Sequence, residues 1–117
     1  MFSPHDDDTG LDDLRVDPIA RLATRGGTVL CLRPLEFDLL LALAKRAGET
    51  VRPADLHAAL WPGEVLSLVR LAVHVHRLRA MLDGGGRQPL LHTVNRQGYR
   101  LSVEPPRTPR RVRRIAN

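Results

Sequence analysis

Apolar residues recur at helical spacing in three stretches of the chain and alternate in several shorter ones. Phe37, Leu40, Leu41 and Ala44 share one helical face, which Leu39 and Leu43 widen. Pro34 stands where a first helical turn tolerates a missing N–H, and Gly48 supplies a stop, so the pattern predicts a helix over 35–47. A second helix is predicted over 53–61, with Leu56 and Leu60 one turn apart and Pro62-Gly63 ending it. A third is predicted over 67–82, from Ser67 as N-cap to the break at Gly84-Gly85-Gly86. At 100° per residue, Leu68, Val75, Leu78 and Leu82 fall within about 60° of Leu71 and form its core stripe.

The shorter stretches read as strands. Residues 14–17 and 19–24 alternate on either side of Pro18, and Gly26-Gly27 is a turn signal before the β-branched run over 28–32. These pieces predict a small antiparallel sheet ahead of the helices. After the third helix, strands over 90–94 and 99–103 flank Asn95-Arg96-Gln97-Gly98, a loop that fits a hairpin with Gly98 at positive φ. Sheet, two helices, a longer helix and a hairpin make an α+β chain in the order of a winged helix-turn-helix. The working domain is expected over 14–103. Residues 1–13 read as an acidic flexible arm and residues 104–117, with Pro105, Pro106, Pro109 and five arginines, as a basic disordered tail.

Composition narrows the partners. Hydrophobic residues make up 43% of the 117, enough for a core, and the single Cys31 excludes an internal disulfide and a cysteine-based zinc finger. No apolar run reaches the roughly 18 residues of a membrane span, and the acidic start does not resemble a signal peptide. The expectation is a cytoplasmic protein with no membrane contact. The net charge of +5 is unevenly placed: six aspartates against one arginine over residues 1–20, and 17 basic against 7 acidic residues over 21–117. A basic domain of this kind suits a polyanion. The acidic arm is expected to be a solubilising tail; the alternative is that it folds onto the basic face and competes with the partner.

The third helix carries the candidate chemistry. Opposite its core stripe lie Val69, Val73, His76, Arg77 and Ala80, flanked by Arg70 and Arg79, with no acidic residue among them. A merely solvated face is usually filled with Glu, Lys and Gln. Arginine can take guanine or phosphate, and valine or alanine can meet a thymine methyl, so the mixture suits a major groove. His74 and His76 are two residues apart and cannot share a helical face, which argues against a histidine-pair metal site. His74 falls near the core edge and reads as a packing residue. Arg96, between Asn95 and Gln97 at the hairpin tip, is placed to meet a minor groove or phosphates. No Ser-His-Asp set, paired carboxylates, phosphate loop or metal spacing can be placed, so no enzyme and no cofactor is expected.

These residues resemble the OmpR/PhoB-type winged-helix family, the DNA-binding effector domain of bacterial two-component response regulators. The matching strings are Leu32-Arg33-Pro34-Leu35-Glu36-Phe37-Asp38-Leu39-Leu40, the segment from Leu56 to Trp61, Val73-His74-Val75-His76-Arg77-Leu78-Arg79-Ala80-Met81-Leu82, His92-Thr93-Val94 and Gly98-Tyr99-Arg100-Leu101. The resemblance implies a sequence-specific regulator of transcription that binds double-stranded DNA. Its third helix would lie in the major groove, with the wing at the minor groove and head-to-tail pairing of copies on direct repeats. It implies DNA contacts from Val73, His76, Arg77 and Arg79 on the helix and from Thr93, Asn95 and Tyr99 on the wing. Trp61 would lie near a phosphate or cap the core. The loop over 62–66, short here, matches the segment that touches RNA polymerase in activators.

The chain departs from the family pattern at several points. Ala72 stands where Asp is frequent, Val69 where Arg is frequent, and Asn95-Arg96-Gln97 replaces the usual wing tip, so base preference does not transfer. Arg33 replaces the threonine that caps the first helix, and that cap is expected to be lost. The residues ahead of the winged helix are too few for a receiver domain, so phosphorylation control within this chain is not expected. The competing reading is a winged helix used for protein contact, with another regulator or with RNA polymerase.

Overall fold

A computed structural model describes residues 9–104 of the chain. The N-terminal sheet is an antiparallel meander of β1 (Thr9–Leu11), β2 (Leu14–Asp17), β3 (Leu22–Arg25) and β4 (Thr28–Val29), paired in that order. Arg25 lies opposite Thr28 across Gly26-Gly27, and both glycines have positive φ, as a two-residue hairpin of right-handed twist requires. The sheet begins earlier than the sequence pattern suggests. Thr9, Gly10 and Leu11 pair with Val16, Arg15 and Leu14, inside the span expected as an arm. The physical reason is local: Asp12 turns the chain at φ 55°, a conformation short polar side chains tolerate, and Leu11 packs on the core. The folded unit therefore includes residues 9–13. The acidic residues Asp6, Asp7 and Asp8 and the basic segment 105–117 lie outside the described residues.

Three helices follow. In α1 (Pro34–Ala44), Phe37, Leu39, Leu40, Leu43 and Ala44 are buried, so the helix sits at the centre of the core. Arg33 holds the N-cap position without a side-chain cap, as its replacement of a threonine suggested. The helix stops at Ala44 instead of Ala47. Arg46 N bonds to Leu43 O and Ala47 N to Ala44 O, three-residue bonds that tighten the last turn. After β5 (Thr50–Val51) come α2 (Pro53–Leu60) and α3 (Leu68–Asp83). Ser67 caps α3 by accepting from Arg70 N at 3.2 Å. Leu71, Val75, Leu78 and Leu82 are buried as the stripe predicts, but Leu68 is 56% exposed. It opens the first turn of α3, and the buried stripe begins one turn later.

The wing is β6 (Leu91–Val94) and β7 (Gly98–Leu101), with β5 added at the outer edge of β7. A two-residue strand leaves no readable periodicity, and β5 was not foreseen. Its presence explains Gly98, which has φ 148° and on which a Cβ would overlap the carbonyl oxygen of Val51.

Arg25 binds the sheet to the end of α3. It is 2% exposed; its Nε donates to Asp13 Oδ1 at 3.0 Å, and its Nη1 donates to Leu82 O at 3.0 Å, Gln88 O at 3.0 Å and Asp83 Oδ1 at 3.2 Å. A cation at a helix C-terminus meets unpaired carbonyls and the negative end of the dipole. Asp83 in turn accepts from Leu90 N at 3.0 Å and Leu91 N at 3.1 Å, fixing where the wing begins.

Candidate nucleic-acid interface

The core stripe of α3 faces α1 and α2, which leaves the opposite face open. Val69 is 77% and Val73 43% exposed, and His76, Arg77 and Ala80 are exposed with them. Among the described residues, neither His76 nor Arg77 takes a side-chain hydrogen bond or ion pair within the protein. The stripe is therefore a free surface of two valines, an imidazole, a guanidinium and an alanine.

The two flanking arginines behave differently. Arg70 Nη1 meets Glu64 Oε1 at 2.6 Å, and its guanidinium lies 3.9 Å over the Trp61 ring. Arg79 reaches the wing: its Nε donates to Leu91 O at 3.2 Å and its Nη2 to Thr93 Oγ1 at 2.8 Å. Both were expected as contacts to a partner, and both already have intramolecular partners. Arg79 sets the wing against the helix, and Thr93 receives it. The Arg70–Glu64 pair is exposed, so the ion pair itself holds the guanidinium by less than about 1 kcal/mol.

Trp61 is buried, its ring in tilted contact at 55° with those of His57 (centroids 4.9 Å apart) and His74 (5.4 Å). The core-capping reading of Trp61 fits this placement: Arg70 covers the ring from outside. His74 is a packing residue, as its position at the core edge suggests; its Nδ1 lies 2.6 Å from Oε2 of the buried Glu36. At the wing tip, Asn95, Arg96 and Gln97 are exposed and the turn is closed by Gln97 N donating to Val94 O at 3.0 Å. Arg96 itself holds positive φ (62°), which the sequence assigned to Gly98 alone. Tyr99 is half-buried and lies opposite Thr93 across the hairpin.

The sequence reading missed Arg33. It enters there within the first-helix string and as a lost cap, yet it lines a groove of about 330 Å³ with Cys31, Glu36, His76, Arg77 and Met81. Nothing in local sequence brings residue 33 beside residue 77; the packing of α1 on α3 does. No group of three or more His, Cys, Asp or Glu side chains among the described residues is arranged to hold a metal ion. No helix among them is long and apolar enough to cross a membrane.

Residues 27–101 match the family described as transcriptional regulatory protein, C terminal. Over 100 residues the chain is 35% identical to the transcriptional activator protein IrlR of Burkholderia pseudomallei, covering 85% of this chain and 44% of that protein. The C-terminal DNA-binding domain of RstA from Klebsiella pneumoniae superposes with a TM-score of 0.74 at 28% identity, over 87% of this chain and 94% of that domain. The same domain in complex with its RstA box superposes at 0.69 and 26% identity, over 83% and 98% of the two chains. The chain thus spans less than half the length of the curated relative it matches.

Proposed function

The chain belongs to the family of transcriptional regulatory protein C-terminal domains, and on that premise we propose that it binds double-stranded DNA sequence-specifically and regulates transcription. In this reading α3 lies in the major groove. Val73, His76 and Arg77 face base edges, and Arg70 turns from Glu64 toward a phosphate. The wing tip, through Asn95 and Arg96, enters the adjacent minor groove, while Arg79, Thr93 and Tyr99 fix its angle and reach the backbone. Trp61 acts from beneath by supporting Arg70. The observation that carries the reading is the open stripe on α3, joined to the wing by the Arg79–Thr93 bond. A helix face without acid, beside a hairpin with a cation at its tip, matches the polyanion and the groove geometry together.

Further partners belong to the same proposal. We assign the loop over 62–66, where Val65 is 91% exposed, to contact with RNA polymerase or another regulator. Copies pair head to tail on direct repeats, in the cytoplasm, and we assign the chain no catalytic role. We assign the acidic residues Asp6, Asp7 and Asp8 ahead of β1 a solubilising role, and the arginines of 105–117 an attraction to phosphate that does not choose a sequence. Selection from a random duplex library tests the central point: a recurring motif is expected, and failure to enrich any motif would turn the reading toward protein contact.

A further inference from the structure

Side chains alternate through the connection from β4 to α1. Leu30 is buried and Leu32 packs on the core, so Cys31 and Arg33 turn outward and are exposed. Leu32 N donating to Leu30 O at 3.0 Å fixes the segment in that form. Because α1 packs on α3, Cys31 and Arg33 share an open groove of about 330 Å³ with Glu36, His76 and Arg77. That volume lies at the lower end of the roughly 300–1,000 Å³ of small-molecule sites. Arg33 and Arg77 bring two guanidiniums to the groove, and neither has a side-chain hydrogen-bond partner among the described residues. Glu36 also lines the groove and is 2% exposed. Its Oε2 lies 2.6 Å from His74 Nδ1, but its Oε1 is buried with no hydrogen-bond partner among the described residues. A buried acceptor left open is unfavourable until a donor reaches it. Beside these groups stands the exposed thiol of Cys31.

We propose that this groove is a covalent effector site, at which Cys31 exchanges with a small zwitterionic disulfide of the amino-acid or short-peptide class. The guanidiniums suit a carboxylate, the open Glu36 oxygen suits an amino or amide N–H, and the thiol suits a sulfur. Those three groups occur together on one half of such a disulfide. The Cys31 sulfur, as thiolate, attacks one sulfur of the disulfide. The S–S bond breaks and a new bond to Sγ forms. The second half leaves as a thiolate and takes up a proton in place of the one Cys31 released. Cys31 is thereby oxidised and the departing half reduced, and a free thiol reverses the step. The retained half lies in the groove, with its carboxylate on Arg33 and Arg77 and its N–H on Glu36 Oε1. The site itself goes beyond the DNA-binding reading given above, and its consequence rests on that reading. A carboxylate on Arg77 competes with duplex for the same guanidinium, so the modified chain binds DNA more weakly.

The test follows mixed-disulfide formation on the 117-residue chain by intact mass, with three disulfides as probes. Glutathione disulfide offers carboxylates and N–H donors, dithiodipropionate has the same net charge without N–H donors, and cystamine has ammonium groups without carboxylates. Each rate is divided by that of N-acetylcysteine with the same disulfide, which removes the intrinsic reactivity of the probe. Glutathione disulfide is expected to exceed both others by about ten-fold. Arg33→Ala and Arg77→Ala are each expected to remove most of that advantage, and Cys31→Ser to gain no mass. Equal normalised rates for the three probes overturn the inference and leave Cys31 an ordinary surface thiol. An advantage shared by dithiodipropionate, or one that survives both arginine variants, overturns it as well. The modified chain is then titrated with a selected duplex at low salt. A loss of about five-fold in affinity, restored by dithiothreitol and absent in Cys31→Ser, is expected. Unchanged affinity of the modified chain overturns the effector role. If the unmodified chain binds no selected duplex, the DNA-binding reading falls, and the mass measurement still decides the groove.

Discussion

Arg25 and Arg77 are the same residue type at the two extremes of this domain. Arg25 is buried at the C-terminal end of α3 and satisfies two backbone carbonyls and two carboxylates. Arg77 lies on the open stripe of the same helix with no side-chain partner among the described residues. One guanidinium joins the N-terminal sheet, the helix end and the wing; the other meets none of the described side chains. Charge count alone treats them alike. Their surroundings separate a stabilising role from a reading role, and Arg70 and Arg79 fall between the two, each tied loosely enough to shift or positioned to hold the wing.

The contrast can be broken most severely at Arg25. Arg25→Met strands Asp83, Leu82 O and Gln88 O, and is expected to lower unfolding stability by about 3 kcal/mol in a urea titration. A loss within the roughly 0.5 kcal/mol of an ordinary surface change would show that the buried network is not what joins the sheet to α3. Next comes Gly98→Ala. The new Cβ meets the Val51 carbonyl at positive φ, so β5 must separate from the wing, with a loss of about 2 kcal/mol in the same titration. Thr93→Val removes the side-chain acceptor of Arg79 and is expected to cost about 1 kcal/mol in DNA affinity through a loosened wing, with little change in global stability. Glu64→Gln sharpens the comparison at its small end: it frees Arg70 from an exposed ion pair, changes stability by less than about 1 kcal/mol, and strengthens DNA binding slightly, most visibly at low salt.

Much of this was legible in the sequence, for identifiable reasons. The stripe of Leu71, Val75, Leu78 and Leu82 is long and strictly periodic, so the open face opposite it follows. The Gly26-Gly27 hairpin and the positive φ of Gly98 carry strong local signals. The strand at Thr9–Leu11 was hidden by its acidic surroundings, and β5 by its length of two residues. Leu68 shows the limit of periodicity: it has the right angle but sits in the turn ahead of the buried stripe. The roles of Arg25 and Arg79, and the place of Arg33 beside Arg77, depend on contacts between residues distant in the chain, 57 positions for Arg25 and Leu82. No local pattern encodes those contacts.

If the exposed stripe of α3 reads duplex DNA, Arg77 is the side chain whose loss must show it. The measurement is a fluorescence anisotropy titration of a selected duplex with the unaltered chain and with Arg77→Ala, between about 50 and 200 mM salt, with urea stability followed in parallel. A steep loss of affinity with salt is expected for the unaltered chain. Arg77→Ala is expected to lose a further amount of about 1 kcal/mol or more, with stability unchanged. Equal affinity of the two proteins, or binding that is flat across the salt range, would contradict it.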